Sequence, residues 1–461
     1  MTNSSKPHSA LRPTLSIFDV VAITVSGISP ASSLFVIAPF AIKQSGSGAF
    51  LAFVMAALLA LMFAYCYAEL GLAHKSAGGD YVYATRIFGG MIGFMTFVIT
   101  LALLLFIPPV LATGAAVYLN AALSTNFDPQ YVGLLIIVLA YLCGILNIKL
   151  NAFITGFCLF VELIAILVMS LLGFGNISQP VNILFEPQIF TNGVLHMAPW
   201  TLVIGSLGIA LLSYNGYGTA VLLSEDMTCE GKKVHKAVLW SLLIVVILEL
   251  LPLTALILGA PSLEVLIRSS DPIGYLFLSH GNELIKKIIS AGIFLSVFNA
   301  IIALVILISR VIFSSGRDLL WPSRLNRLFT NIHPRFNSPW LATLFLALPS
   351  ALLTFNSNLG ELTSFSVLLI MLMYFIVSCC ALMSRIVLKG HSHPYSMPFW
   401  PLPAIVAMLG SGFLIVDLIM ATKTRDIVII FSVLLVSCLY YMRYGRFILN
   451  FQANRKNHAS M

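Results

Sequence analysis

The sequence predicts an all-α integral membrane protein of twelve spanning helices, and three observations carry that reading. Of the 461 residues, 59% are hydrophobic and only 9% are charged, against about a quarter charged in soluble domains. Apolar stretches of the roughly 20 residues that a spanning helix needs recur twelve times. Two of these stretches are interrupted by helix-breaking residues, in equivalent places of the two halves: Ser26-Gly27-Ile28-Ser29-Pro30 and Tyr214-Asn215-Gly216-Tyr217-Gly218. An unpaired backbone group in hydrocarbon costs several kcal/mol, so a chain that breaks two spanning helices needs a cavity or a ligand to receive the freed groups. Paired breaks of this kind mark the binding site of a secondary transporter.

The stretches run 15–42, 48–72, 91–120, 129–147, 151–175, 197–223, 236–260, 284–313, 339–356, 361–386, 399–420 and 426–448. The first follows a polar tail, 1–14, that has no apolar signal-peptide core. Segments three and eight are too long for a simple crossing and are expected to tilt or to extend past the membrane. The connection from 147 to 151 is so short that segments four and five must form a tight hairpin. Segment six carries the second break, and segment seven holds Glu249 with Pro252 one turn on. Segments one to five (15–175) and six to ten (197–386) read as two five-helix units. Helices 11 and 12 (399–448) and a tail (449–461) complete the chain.

An even number of spans puts both termini on one side. With the N-terminus inside, nineteen of the 25 Lys and Arg residues fall in cytoplasmic segments, so the positive-inside rule places both termini in the cytoplasm. The two units then begin on opposite sides of the membrane, which makes them an inverted repeat. The net charge of +8 sits in short loops between apolar runs, where it orients the chain and argues against a nucleic-acid partner. The seven cysteines form no C-x-x-C pair and the histidines lie mostly in loops and tails, so neither a disulfide framework nor a metal site is expected. No cofactor is implied. An enzyme is disfavoured because no nucleophile–base set or metal-ligand cluster falls at membrane depth.

At the first break, Gly27 and Pro30 oppose a continuous helix, and Pro30 also pushes Ser29 away from helical backbone. Unwinding there would turn the N–H groups of the following half-helix into the bundle, where their partial positive charge suits a carboxylate. Ser26, Ser29, Ser32 and Ser33 add hydroxyls. A plain proline kink, with the serines bonded back to their own helix, is the alternative. At the second break, unwinding exposes carbonyls that suit an ammonium group, and Tyr217 is placed to close over a ligand. Two interfacial tyrosines on a small-residue packing face would be the alternative, but Tyr217 lies mid-segment and not at an end where aromatic belts sit.

Three loops resemble those of the amino acid–polyamine–organocation (APC) permeases. After segment two comes Ala77-Gly78-Gly79-Asp80-Tyr81-Val82-Tyr83 and then Phe88-Gly89, similar to that family's A-G-G-x-Y-x-Y…G element. After segment eight come Ser309-Arg310, Gly316-Arg317-Asp318, Pro322 and His333-Pro334-Arg335-Phe336-Asn337-Ser338-Pro339. These are similar to S-R…G-R-D-G-x-L-P…H-P-K-x-x-T-P. The second break resembles an aromatic-x-G-aromatic element followed by an acidic pair, here Glu225-Asp226. The resemblance covers nearly the whole chain in order. It implies a LeuT-type 5+5 inverted repeat plus two C-terminal helices, with alternating access around a midplane site. It further implies a substrate carboxylate on Gly27, Ile28 and Ser29, and an ammonium on Tyr214 to Gly218. Arg317, Asp318, Glu225 and Asp226 are then either inward-gate charges or a solvated loop. The chain departs from the family pattern in having one glycine at the first break, an added Pro30, and no proline before Lys236.

Segment five holds a further departure. Where many members of the family place a lysine, this chain has Glu162, about 16 Å along a helix from Asn151 and so near the midplane. A central acid costs about 2.5–3.5 kcal/mol to insert, and such residues usually face ion or substrate paths. Glu162 is expected either to bind a proton in the cycle or to pair with a cationic group; a structural acid bonded to a neighbouring helix is the alternative. Glu249 reads as a structural partner. The resemblance turns Ser296 and Asn299 of segment eight inward, towards substrate or a coupling ion; Phe106, Pro108 and Pro109 of segment three are expected to shape a cavity wall.

The expected function is secondary transport of an amino acid across the cytoplasmic membrane, by proton-coupled symport or by exchange, with the lipid bilayer and a small-molecule substrate as partners. That membrane would be the inner one in a Gram-negative source. Uptake of an amine or polyamine is the second expectation, since a cation without a carboxylate needs an acid partner such as Glu162. A receptor that does not translocate is the third.

Overall fold

Ser16 starts the first helix with a reciprocal cap: its hydroxyl accepts from the Asp19 N–H at 3.2 Å, and its own N–H donates to the Asp19 carboxylate at 2.8 Å. The structure is a computed structural model that describes residues 16–73, 79–145, 148–191, 193–223, 227, 233–269, 271–281, 283–336, 338–356, 359–387, 395–421 and 424–458. Helix α1 (Ile17–Ile28) stops at Ser29, and α2 (residues 30–45) continues after it with a π-helical turn at Ser33–Ile37. A tight turn, Gly46–Gly48, leads into α3 (Ala49–Ala73). There follow a short helix, α4 (Asp80–Phe88), then α5 (Gly90–Leu123), α6 (Pro129–Gly144) and α7 (Ile148–Gly175).

A second broken helix follows the hairpin region of residues 188–197. Helix α8 (Trp200–Ser213) ends in turns over 214–218, and α9 (Thr219–Leu222) resumes after them. The rest comprises α10 (Val234–Gly259), the short α11 (Leu263–Arg268) and α12 (Pro272–His280), α13 (Glu283–Arg317) and α14 (Ser323–Phe329). Helices α15 (Trp340–Phe355), α16 (Leu359–Val387), α17 (Leu402–Ala421) and α18 (Thr424–His458) close the chain.

Among the described residues, seven helical stretches are long and apolar enough to cross a membrane, the first of them spanning Ile17–Ala73, and four more are apolar but shorter. The chain is an all-α membrane protein. Helices α5 and α13 have 34 and 35 residues, as the lengths of segments three and eight require. An antiparallel hairpin of β1 (Gln188–Thr191) and β2 (Val194–Met197) precedes α8, which the apolar pattern did not foretell. It lies against the turn before α3: a side chain on Gly46, at φ +62°, would collide with the Gln188 carbonyl.

The broken helices sit in the middle. Helix α10 packs against α1, α3 and α7, while α13 packs against α2, α5 and α7. Leu34, Ala38, Phe53, Leu211, Tyr214, Leu253 and Val297 are inaccessible between them. At one end of α3, Glu69 is 1% exposed. Arg385 from α16 donates to both of its carboxylate oxygens at 2.7 Å, and the Met397 N–H adds a third bond at 2.8 Å. The Arg385 guanidinium also lies 4.6 Å over the Trp400 ring. This fork-and-stack arrangement, for which arginine is suited and lysine is not, ties α3 to α16 and to the start of α17.

The loop elements that carry the family resemblance come together in space. The Tyr81 hydroxyl donates to Asp318 at 2.7 Å, and Asp318 is 3.9 Å from Arg317. Tyr81 packs edge-on against Phe97, which meets Trp321, and the Trp321 indole N–H donates to Ser315. Asp318 therefore belongs to a built contact between α4 and the end of α13, while Arg317, 53% exposed, meets that contact only through its neighbour Asp318. Glu225 and Asp226 lie outside the described residues, as do Ala77, Gly78 and Asn337.

Candidate functional site

The first break falls at Ser29 and not at Gly27. Pro30 has no N–H and crowds the residue before it out of right-handed helix, so Ser29 adopts φ +51°, ψ +82°. Its hydroxyl accepts from the Ser32 N–H and hydroxyl, which holds the left-handed turn and caps α2. The backbone N–H of Ser29 donates to the Val25 carbonyl and so completes α1. Among the N–H groups that open α2, that of Ala31 donates to Glu162 Oε1 at 2.7 Å, and the Ser29 hydroxyl donates to the same oxygen at 3.2 Å. Glu162, fully buried on α7, thus places its carboxylate at the anion-favouring start of α2.

Gly27 stands one turn before this contact. It is exposed, and a Cβ added to it would meet nothing within 4 Å, so its face borders open space. Ile28 leans across to the second break, where a Cβ on Gly216 would come within 2.7 Å of its side chain. Gly216 has φ +126°, a conformation that only glycine adopts without strain. The two breaks are also stitched directly: the Ser33 hydroxyl donates to the Ser213 carbonyl, the last of α8, at 2.7 Å. We expect Gly216→Ala to lower uptake at least tenfold while the protein still assembles, because both the backbone and the contact with Ile28 must shift. Uptake rate and a size-exclusion profile of the same preparation check this.

The second break has an aromatic wall. Tyr217 is 1% exposed and stacks against Tyr374 of α16, with centroids 6.4 Å apart. Tyr67 of α3 meets both rings edge-on, and Phe63 stacks on Tyr374 at 4.2 Å. The Tyr374 hydroxyl donates to Asn215 Oδ1 at 3.1 Å, and the Tyr214 hydroxyl donates to the Phe53 carbonyl at 3.3 Å. Asn215, Gly216 and Gly218 remain partly accessible. On the far side of this wall the Tyr67 hydroxyl donates to Asp80 of α4 at 3.4 Å.

Burial pushes the Asp80 carboxyl up to about 7, with the Tyr67 hydrogen bond acting in the opposite sense. An acid whose folded value is raised holds its proton longer in the folded than in the unfolded state. Stability then falls as pH rises from about 4, its ordinary value, to about 7, and levels off above that. We expect the melting temperature of Asp80→Asn to lose this slope between pH 5 and 8; an unchanged slope would mean that other groups set it.

Buried polar side-chain atoms nearly always find a hydrogen-bond partner. Here atoms without one gather around the breaks: Thr24 Oγ1 and Ser26 Oγ on α1, Ser213 Oγ and the Tyr217 hydroxyl at the second break, Glu162 Oε2, and both carboxylate oxygens of Glu249 on α10. The structure therefore brings together Ser26, Gly27, Ile28 and Ser29 with residues 214–218 and Glu162. Ser296 and Asn299 are buried on α13, and the Ser296 hydroxyl is donated to its own helix at Gly292. Phe106 stacks on Phe365 at 4.3 Å. Reading the sequence missed Tyr374 and Tyr67. The argument from depth that singled out Tyr217 applies equally to Tyr374, in the middle of segment ten.

Among the described residues, no group of His, Cys, Asp and Glu side chains is placed to hold a metal ion. Comparison with known proteins gives the site its context. The chain is 24% identical over 377 residues to the serine/threonine exchanger SteT of Bacillus subtilis, covering 80% of this chain and 82% of that one. It is 23% identical over 460 residues to the branched-chain amino acid permease BcaP of the same organism, 95% of each. It is 22% identical over 428 residues to a methylthioribose transporter from that organism, 88% of each. A model of the amino acid permease family matches residues 15–442, and the chain, with its broken helices and apolar spans, belongs to that family of APC-superfamily transporters.

Proposed function

We propose that this chain carries an amino acid across the cytoplasmic membrane by alternating access around the two breaks. The gathering of buried, unpartnered polar atoms at Thr24, Ser26, Ser213 and Tyr217 carries the reading, because a ligand there would complete their hydrogen bonds. Gly27 and Ile28 would border the carboxylate side of the ligand. Carbonyls of residues 214–218 would hold the ammonium side, with Tyr217 and Tyr374 as the aromatic closure. The pairing of two broken helices supports a LeuT-type arrangement of twelve spans, 15–175 and 197–386 as inverted repeats and 399–448 appended, with both termini cytoplasmic. Asp318, joined to Tyr81, would serve the inward gate with Arg317, Glu225 and Asp226. The substrates named for two of the relatives, serine and threonine and the branched-chain amino acids, favour a neutral amino acid, moved by exchange or with a coupling proton.

One observation favours a second reading. Glu162 already occupies the Ala31 N–H, where a substrate carboxylate would otherwise find the start of α2. An amine without a carboxylate would leave that bond in place. A thermal-shift screen of purified protein separates the two, since a ligand that binds only the folded state stabilises it by about 2.7 kcal/mol at a hundred times its Kd. Stabilisation by serine, threonine, leucine or valine is expected. Stabilisation by putrescine alone would transfer the site to amines, and no response to either class would remove both readings.

A further inference from the structure

We infer that Tyr67 is a positioning residue for the substrate site: Asp80 of α4 holds its ring where the second break seats on it, and that seat sets the affinity of the site from outside the cavity. The inference rests on the transport reading above and deepens it, since Tyr67 acts on the ligand only through Gly218 and Tyr217.

The second break leans on α3 at two levels. A Cβ on Gly218 would meet the Tyr67 ring at 3.0–3.2 Å, so the backbone of the break lies directly against that ring. One turn further along α3, a Cβ on Gly71 would come within 2.5 Å of the Val221 side chain, which brings α9 against the same helix. The Tyr67 ring, 6% exposed, also meets Tyr217 edge-on at 6.1 Å and Tyr374 edge-on at 6.3 Å. Contacts of this kind depend on how the rings are oriented, and a phenol ring moves with whatever holds its hydroxyl. Here the holder is Asp80, which accepts from the Tyr67 hydroxyl at 3.4 Å.

Asp80 is held in turn. Its neighbour Tyr81 donates to Asp318 at the end of α13 at 2.7 Å and packs edge-on against Phe97 of α5 at 5.6 Å. Residues 80 and 81 thus join α4 to two different bodies: to α3 with the second break, and to α13 with α5. The bond to Asp318 is short and the bond to Tyr67 is long, so α4 stays with α13 and any give falls at Tyr67. Closure of Tyr217 over a ligand and tightening of the Tyr67–Asp80 bond then favour each other. Without that bond fewer molecules hold the break ready for substrate, and the apparent affinity drops by the same fraction, while the rate at saturation stays.

Exchange of radiolabelled L-serine and L-leucine by the purified full-length protein in liposomes tests this. Tyr67→Phe keeps the ring and removes only the hydroxyl; KM for the better of the two probes should rise at least fivefold, with the saturated rate within twofold of wild type. Asp80→Ala should do the same. The double variant should be no worse than either single one, because two residues that act through one bond are not additive. Asp80→Asn keeps an acceptor for the hydroxyl and should raise KM no more than twofold. A wild-type KM in Tyr67→Phe, or a double variant whose rise is the product of the two single rises, overturns the proposal and leaves the transport reading standing. A wild type that exchanges neither probe counts against the transport reading instead. The melting temperatures of wild type, the two single variants and the double variant then decide the contact, and losses that add in the double variant overturn it.

Discussion

Arg385→Ala destabilises the protein by about 3 kcal/mol, the lower end of what breaking a buried ion pair costs. The reason lies in what remains. Glu69 is 1% exposed and Arg385 22%, so removing the guanidinium leaves a carboxylate in the interior with only the Met397 N–H at 2.8 Å. The packing of Arg385 on Trp400 is lost as well. Arg385→Lys recovers part of the charge but neither the two parallel bonds nor the stack, and it falls between alanine and wild type. Changing Glu69 to Gln in the alanine background removes the stranded charge and restores part of the stability. Denaturant unfolding in detergent reads all three variants. A loss below about 0.5 kcal/mol in Arg385→Ala would place the pair with ordinary surface ion pairs.

Glu162→Gln lowers uptake at least tenfold and flattens its dependence on external pH, while changing stability by less than about 1 kcal/mol. The amide oxygen of glutamine still accepts from Ala31 and Ser29, so the first break keeps its shape. What would disappear, if Glu162 binds a proton in the cycle, is the group that alternates between charged and neutral. Glu162→Ala separates geometry from charge: it leaves the Ala31 N–H without its acceptor, at a cost of about 1–3 kcal/mol for an unsatisfied buried donor. Uptake at several external pH values, beside melting curves of both variants, checks the pair of expectations. Glu162→Gln with wild-type uptake and wild-type pH dependence would make Glu162 a cap for α2 and nothing more.

The legible parts of this chain are those that depend on local sequence. The two breaks are visible because proline and closely spaced glycines act on the backbone within a few residues. The length of each apolar run announces the long α5 and α13. Within the first break the bend falls at Ser29, where the steric demand of Pro30 acts on the residue before it. Depth and the position where many family members carry a lysine marked Glu162, but its partner Ala31 lies 131 residues away, and no spacing rule spans that distance. The Glu69–Arg385 clamp joins residues 316 positions apart, and Arg385 looks from the sequence like one more loop cation. Tyr67 and Tyr374 lie in helices that read as uniformly apolar, and only the packing of α3 against α16 turns them into a wall beside Tyr217. The β-hairpin before α8 is short and mostly exposed, and it carries too little alternation to stand out from the loop around it.

The central claim is that the two breaks form one amino acid site, and exchange in proteoliposomes tests it most directly. Purified wild type would be reconstituted with unlabelled L-serine and L-leucine inside, and entry of the labelled forms followed in parallel with Gly216→Ala. The site at the breaks predicts rapid counterflow of at least one of the two in wild type and at least a tenfold slower rate in the variant. Counterflow that is equally fast in both proteins would contradict it.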